Sequence, residues 1–392
     1  MSRPLNPRVL SVFGTRPEAI KMAPVARRLA EHPGIDARLC VTAQHREMLD
    51  SVLELFALRP DHDLDLMRPG QDLFDVTSGV LLGLRDILRA ERPDLVLVHG
   101  DTTTCFAASL AAFYEGIEVG HVEAGLRTGD LAAPFPEEAN RVLTGRLASR
   151  HFAPTAGARA HLLAEGVAEE RVHVTGNTVI DTLLEVRTLV AEATPELFRG
   201  SFPPDFAARL AAGPEKLVLV TGHRRESFGR GFEELCTALA RLATEHPEWL
   251  LVYPVHLNPK VQTPVHARLG ALPNVALLEP LDYAPFVWLM SRADLVITDS
   301  GGIQEEAPSL GVPVLVTREV TERPEAVEAG TVQLVGTDPE RIVTNAEEIL
   351  SGGELAERMA RAVNPYGDGR AAERIAALVA GESAVSAFGV AA

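Results

Sequence analysis

Three carboxylates stand at positions where a carboxylate is costly to keep. Asp101 follows the apolar run Asp94-Leu-Val-Leu-Val-His-Gly100, and Glu123 ends the run that begins at Val119. Glu137 follows Pro136 and sits four residues before Arg141. Three such groups converging on one cleft repel one another unless protons or a cation are shared. That cost points to acid–base chemistry. Simpler readings stand beside it. Asp101 could cap the helix that follows it, and Glu137 could serve the helix dipole and an i,i+4 pair with Arg141. Glu123 resists a simple reading, because it closes an apolar strand and precedes the flexible pair Ala124-Gly125.

The cations and glycines around them suit an anionic ligand. Arg16 and Lys21 flank the turn Gly14-Thr-Arg-Pro-Glu18, where they could clamp phosphate or simply be surface charges. His223, in Gly222-His-Arg-Arg-Glu226, follows another apolar run and could carry a proton or donate to a leaving phosphate. His99 and His121 read as structural. In Asp294 to Val316, a strand over Leu295 to Thr298 leads into Asp299-Ser300, then Gly301-Gly302, then a short helix over Ile303 to Leu310. Asp299-Ser300 can cap that helix, and the glycines let the backbone approach a ligand. Free N–H groups and the helix dipole would then face an anion. Glu305 and Glu306, one turn in, suit a ribose diol better than a phosphate. The stretch reads as a nucleotide-diphosphate cradle, or as an ordinary strand–helix turn with a glycine pair.

These groups need elements to hold them. Short apolar strands alternate with helical segments throughout, the pattern of parallel α/β units. Leu73, Val76, Val80, Leu84, Ile87 and Leu88 recur at helical spacing between Asp72 and Arg89. Gly14-x-Arg-x-Glu18 and Gly222-x-Arg-x-Glu226 form a weak repeat, each after a strand, which suggests two similar doubly wound domains. The expected division is 1–180, a junction at 181–214 around Pro203-Pro204, 215–365, and a closing helix and tail at 366–392, with Ala371 to Ala380 helical. In open parallel sheets, ligands bind beyond the carboxyl ends of the strands. Two such edges facing one another across an interdomain cleft would bury a substrate.

Composition narrows the class. The 392 residues are 46% apolar, with Lys+Arg 37 against Asp+Glu 54 and a formal net charge of −17. Such a surface repels nucleic acid and anionic membranes. Cys40, Cys105 and Cys236 are far apart without metal-ligand spacing, and read as reduced core residues of a cytoplasmic protein. Neither a signal peptide nor a membrane-length apolar run is evident. Without His-x-x-x-His, an aspartate cluster, Gly-x-Gly-x-x-Gly or Gly-x-Ser-x-Gly, no metal, nicotinamide or serine nucleophile is supported, and no cofactor is expected.

Taken together, eight motifs resemble the non-hydrolysing UDP-N-acetylglucosamine 2-epimerases of bacteria. They are Gly14-Thr-Arg-Pro-Glu-Ala-Ile-Lys21, His99-Gly-Asp-Thr102, His121-Val-Glu-Ala-Gly-Leu-Arg127, Pro136-Glu-Glu-Ala-Asn-Arg141, Gly222-His-Arg-Arg-Glu226, Thr298-Asp-Ser-Gly-Gly-Ile-Gln-Glu-Glu306, Thr321-Glu-Arg-Pro-Glu325 and Asn364-Pro-Tyr-Gly-Asp-Gly369. They run in order over nearly the whole chain. The resemblance implies a two-domain glycosyltransferase-B-like fold of two Rossmann-like units, a homodimer, and reversible inversion at C2 between UDP-GlcNAc and UDP-ManNAc. It implies a reaction in which the C1–O bond breaks to give UDP and a 2-acetamidoglucal, followed by proton delivery to the other face of C2 and re-addition of UDP. By the same resemblance Asp101, Glu123 and Glu137 are the carboxylates, assisted by Arg141 and His223. Arg16, Lys21, Ser300, Gly301, Gly302 and Arg323 hold the diphosphate, Glu306 the ribose, and Phe286 packs on the uracil. Gln44, His45 and Gln71 match a second, regulatory UDP-GlcNAc site. Some members carry Gln and Arg where this chain has Glu47 and Gly70, so the regulatory details differ.

Two other outcomes share these residues. A hydrolysing relative would release ManNAc and UDP from the same cleft. A glycosyltransferase of the same fold would need an acceptor, and a silent sensor would bind the nucleotide sugar unchanged.

Overall fold

Apolar runs such as Val9–Phe13 and Leu95–Val98, β-branched or leucine-rich, form most of the thirteen strands found among the described residues of the computed structural model. The model describes residues 6–43, 46–68, 70–222, 224, 229–382 and 386–389. Strands that are apolar on both faces belong in parallel sheets covered by helices. Here they make two such sheets, one in each of two units. The first unit is Met1–Thr182 with Tyr366–Ala392, and the second is Leu183–Pro365.

The first sheet has the order β3-β2-β1-β4-β5-β6-β7. Its strands are β1 (Arg8–Phe13), β2 (Asp36–Val41), β3 (His62–Asp63), β4 (Leu95–His99), β5 (Glu118–Val122), β6 (Arg150–Ala153) and β7 (Val172–Val174). The second sheet has the order β10-β9-β8-β11-β12-β13. Its strands are β8 (Lys216–Thr221), β9 (Trp249–Pro254), β10 (Val275–Leu278), β11 (Leu295–Thr298), β12 (Val314–Val316) and β13 (Val332–Leu334). All pairs are parallel, with Val9 beside Leu95, Leu95 beside Glu118 and Leu295 beside Val218. In both sheets the winding reverses beside the first strand, between β1 and β4 and between β8 and β11. At such a switch point the connecting helices diverge to opposite faces and leave the strand ends open to a ligand.

Each sheet has its own core. Leu10, Val12, Val96, Val98, Val80 and Leu84 are completely or almost completely buried in the first. Val218, Leu239, Leu251, Ile297 and Ile342 do the same in the second. Helix Leu73–Glu91 buries Val76, Val80, Leu84 and Leu88 of the expected stripe, leaves Leu73 exposed at its first position, and is entered through an Asp72–Asp75 capping box.

The closing segment groups with the first unit. Asn177 N–H donates to the Tyr366 carbonyl at 2.6 Å. Arg374 grips Asp368 through two bonds of 2.7 Å. The carboxylate of Asp181 accepts from the N–H groups of Ala371 and Ala372, at 3.1 and 2.8 Å. A carboxylate from an earlier helix thus satisfies the open N-terminus of helix Ala371–Ala380.

Candidate active site

The first-unit residues gather at the carboxyl ends of β1, β4 and β5, three neighbouring strands. After β1, Gly14 and Thr15 turn the chain into helix Arg16–Glu31, whose capping box uses Thr15 and Glu18. Glu18 is 2% exposed and is held by backbone amides and hydroxyls. One of its oxygens accepts from Gly14 N–H (3.1 Å), Thr15 N–H (2.8 Å) and the Thr15 hydroxyl (2.8 Å). The other accepts from the Thr102 hydroxyl at 2.6 Å. Thr102 in turn caps helix Thr103–Tyr114. One buried carboxylate therefore ties the Arg16 turn to the Asp101 turn. The Thr15-x-x-Glu18 spacing was readable as a capping box, but its reach to Thr102 crosses 84 residues and left no local signal.

Asp101 sits in that second turn, about a third exposed. Arg141 donates to its Oδ2 at 2.5 Å, and the Asn140 amide donates to its carbonyl at 3.0 Å. Arg141 also lies 3.4 Å from Glu138. Glu138 is buried and accepts from the N–H groups of Thr128 and Gly129. Glu138, the neighbour of the candidate Glu137, is thus a further member of this site. In the structure Arg141 serves Asp101 and Glu138, so the i,i+4 pair with Glu137 is not what occupies it. Glu137 is half-buried at the first position of helix Glu137–Leu147 and makes no hydrogen bond or ion pair with the described residues.

Glu123 occupies a strained position. Its φ of 61° is left-handed, a conformation that costs a residue bearing a Cβ about 1 kcal/mol or more. Its side chain forms an ion pair with Lys21 and lies 3.4 Å from His99 Nε2. Burial alone would raise the Glu123 carboxyl, but the Lys21 ammonium and His99 outweigh it and hold the group well below the usual carboxylate range. Lys21, expected at a phosphate, thus holds an internal anion. Gly125 follows at φ 94°, and a methyl group there would stand 2.2 Å from the Ala158 carbonyl, so only glycine fits. His121 is fully buried, and burial lowers its imidazole to about 3. It is therefore neutral, and its Nε2–H donates to the Gly100 carbonyl at 2.7 Å, which fixes the peptide before Asp101.

The second-unit residues lie at the ends of β8 and β11. Thr221 and Thr298 share a hydrogen bond of 2.6 Å across those two strands. Asp299 is buried and accepts from the Arg224 backbone N–H at 2.8 Å. The helix that follows is Gly301–Ser309, two residues earlier than the sequence suggests, so Gly301 and Gly302 form its first turn. Ser300 is its N-cap by backbone alone and makes no side-chain cap bond, contrary to expectation. Its own N–H instead donates to the Thr298 hydroxyl at 2.9 Å. The first-turn N–H groups are thereby left without a side-chain cap from Ser300.

Arg323 forms an ion pair with Glu305, and the Tyr283 hydroxyl donates to Glu306 at 2.8 Å. Glu305 and Glu306 thus divide their work, one fixing an arginine and the other bound to a phenol. Phe286 lines a cavity of about 160 Å³ with Thr221, Gly222, Pro254, His256, Pro280 and Leu281. An aromatic ring and two prolines beside a glycine strand end suit a flat heterocycle. Arg16 is half-buried at the first position of its helix.

His223, Gln44 and His45 lie outside the described residues. Gln71 accepts from Arg68 N–H and donates to the Leu66 carbonyl, both at 2.8 Å, so its amide braces its own loop. No group of His, Cys, Asp and Glu able to hold a metal occurs among the described residues. No helix among them is long and apolar enough to cross a membrane.

The family model for UDP-N-acetylglucosamine 2-epimerase matches residues 27–380. The chain belongs to this family. A UDP-N-acetylglucosamine 2-epimerase of Escherichia coli K12 is 59% identical over 368 residues, covering 94% of this chain and 97% of that protein. The crystal structure of UDP-GlcNAc 2-epimerase from Neisseria meningitidis bound to UDP-GlcNAc is 48% identical. It covers 95% of this chain and 99% of the other, with a TM-score of 0.84. A glycotransferase of kitacinnamycin, 18% identical with a TM-score of 0.60, shares the fold.

Proposed function

We propose that this protein interconverts UDP-GlcNAc and UDP-ManNAc by inverting C2. The observation that carries the reading is the arrangement at the ends of β1, β4 and β5. There Glu123 is held ionised by Lys21 and His99, Asp101 is held by Arg141, and Glu137 remains without a partner among the described residues. The C2 proton is not adjacent to a carbonyl, so its direct removal is very hard. Loss of UDP solves this. The C1–O electrons leave with UDP, the C2 proton passes to a carboxylate, and a C1=C2 bond forms in 2-acetamidoglucal. Protonation on the other face of C2 and return of UDP to C1 complete the inversion.

Positive charge develops at C1 as its bond breaks, and fixed carboxylates such as Glu123 and Asp101 stabilise it. Glu137 is the carboxylate we assign to proton transfer. We assign the leaving diphosphate to Arg323 and the N-terminus of helix Gly301–Ser309, with Ser300, Gly301 and Gly302 supplying close backbone, and retain Arg16 and His223 as phosphate ligands on the family resemblance alone. Glu306 takes the ribose and Phe286 the uracil. In place of a phosphate contact, Lys21 keeps Glu123 charged. The relative from Neisseria meningitidis, bound to UDP-GlcNAc, supports this substrate.

The proposal includes a homodimer, which the exposed Leu82, Phe113 and Tyr114 of the first unit would suit. Sedimentation of a monomer at micromolar concentration would count against it. A cytoplasmic location suits the three buried free thiols. A regulatory UDP-GlcNAc site around Gln44, His45 and Gln71 predicts that UDP-ManNAc turnover accelerates when UDP-GlcNAc is added.

Proton NMR of the purified protein with UDP-GlcNAc in D₂O tests the central reaction. UDP-ManNAc with deuterium at C2 is expected. Free ManNAc and UDP would move the protein to the hydrolysing branch, and an unchanged spectrum would favour an acceptor-dependent transferase or a sensor.

A further inference from the structure

Glu322 points an anion at the place where the diphosphate is expected. A methyl group built on Gly301, in the first turn of helix Gly301–Ser309, would stand 3.6 Å from Glu322 Oε1, 3.6 Å from Arg224 Nη2 and 3.9 Å from Arg323 Cζ. The Glu322 carboxylate therefore lies among the cations that face this helix N-terminus. Arg224 Nη2 donates to its Oε1 at 2.7 Å, and Arg318 pairs with its Oε2. A carboxylate with two guanidinium partners near a helix N-terminus has the surroundings of a bound phosphate.

We propose that Glu322 is an internal stand-in for the substrate diphosphate, which must displace it from Arg224 and Arg318 to bind. The inference rests on the diphosphate-cradle reading above, and adds to it a residue that sets affinity from within. Three further facts fit a displaceable group rather than a fixed strut. The Glu322 and Arg224 side chains are 32% and 34% exposed, whereas the neighbouring Glu305–Arg323 pair is 2% and 14% exposed. The fixed pair has the burial of scaffolding, and the Glu322 pair has the access of a ligand contact. Burial favours the protonated form of Glu322, but Arg224 and Arg318 prevail and hold its carboxyl at about 2, so it competes as an anion at every physiological pH. Asp299, the other nearby acid, is already committed to the Arg224 backbone N–H.

An occupied cradle lowers apparent affinity by the fraction of time it is free. If the internal pair is closed about nine-tenths of the time, its removal tightens binding about ten-fold. The test is calorimetry of UDP and inorganic pyrophosphate, with uridine followed by saturation-transfer NMR, on the wild-type chain, Glu322→Gln and Glu322→Asp. UDP and pyrophosphate are expected to bind Glu322→Gln about ten-fold tighter, with Glu322→Asp between it and the wild type and uridine unchanged. Equal or weaker UDP binding by both variants, with uridine unchanged, would show that Glu322 only positions Arg224 and Arg318, and would overturn the proposal alone. Should Glu322→Gln fail to fold, Glu322→Asp carries the same sign and decides. Wild-type protein that binds neither UDP nor pyrophosphate would overturn both this proposal and the cradle reading beneath it.

Discussion

At the scale of single residues, the carboxylates after β4 and β5 each hold a cation, Asp101 with Arg141 and Glu123 with Lys21. Asp101 is held by Arg141 in reach of the solvent, and replacing its carboxylate by an amide keeps the shape while removing the charge. Asp101→Asn is expected to lower turnover by a factor on the order of 10² to 10⁴. UDP affinity should be nearly unchanged, as steady-state kinetics and calorimetry would show. Near-normal turnover would reduce Asp101 to an anchor for Arg141, since Thr102 and not Asp101 caps the helix that follows. Glu123 makes a second case, with a defined sign. Its folded carboxyl lies below the ordinary value because of Lys21 and His99, so its anionic form is present above the ordinary range and is lost only as pH falls through the depressed value. Lys21→Met removes the larger of the two attractions and leaves the burial. The acid limb of the kcat/KM profile should move up. A profile that stayed in place would separate Lys21 from Glu123 chemistry.

At the scale of elements, the turns after β1 and β4 act as one piece. Gly14 is the point of closest approach, where an added methyl would stand 2.0 Å from Thr42 Oγ1 and 2.9 Å from Thr104 Oγ1. Gly14→Ala should cost about 1–3 kcal/mol by overpacking. Thr42→Ala in the same chain should restore part of that in urea unfolding, because the nearest obstructing atom is gone. An additive pair would mean that the turn shifts elsewhere.

Much of this scale was legible beforehand. The strand runs, the stripe of helix Leu73–Glu91 and the closing helix Ala371–Ala380 follow from period and punctuation, which act over a few residues. The start of helix Gly301–Ser309 was read two residues late, because a glycine pair resembles a loop until its N–H groups are seen in the first helical turn. The two-residue strand β3 is too short to leave a pattern. Partner choice was the hardest part. The position of Lys21 beside a turn is local information, whereas its pairing with Glu123 spans 102 residues and leaves no local signal. Glu138 looks like its neighbour Glu137 until it is seen to be buried, and Glu322 looks like any surface acid until it is seen to face Arg224 and Arg318.

At the scale of the whole molecule, the net charge of −17 leaves each anion site dependent on cations placed close by. The long-range contacts within the first unit also carry a pH signature. Burial raises the Asp181 carboxyl to about 6 from an ordinary 3.8. The folded protein therefore holds this proton more tightly than the unfolded chain. The stability that follows is full below about pH 4 and is lost as pH rises through about 6, with a magnitude on the order of 2–3 kcal/mol. Asp181→Asn cannot ionise, although it leaves one helix N–H less well satisfied. Its stability deficit against the wild type should therefore shrink between pH 4.5 and pH 7.5 in chemical unfolding. A gap that did not change with pH would remove Asp181 as the source.

The first unit is built from both ends of the chain, with Leu183–Pro365 lying between them in sequence. A ribosome delivers these parts in order. When Thr182 emerges, Asp181 has no helix to cap, and Thr175 and Asn177 lack the groups of Arg374 and Tyr366 that bind them. The second unit has all its strands once Pro365 has been made, whereas the first must wait for the residues from Tyr366 onward. Maturation therefore runs against the usual amino-terminal-first sequence. A released chain truncated just before Tyr366 should carry a protease-resistant second unit and a first unit that is still open to cleavage.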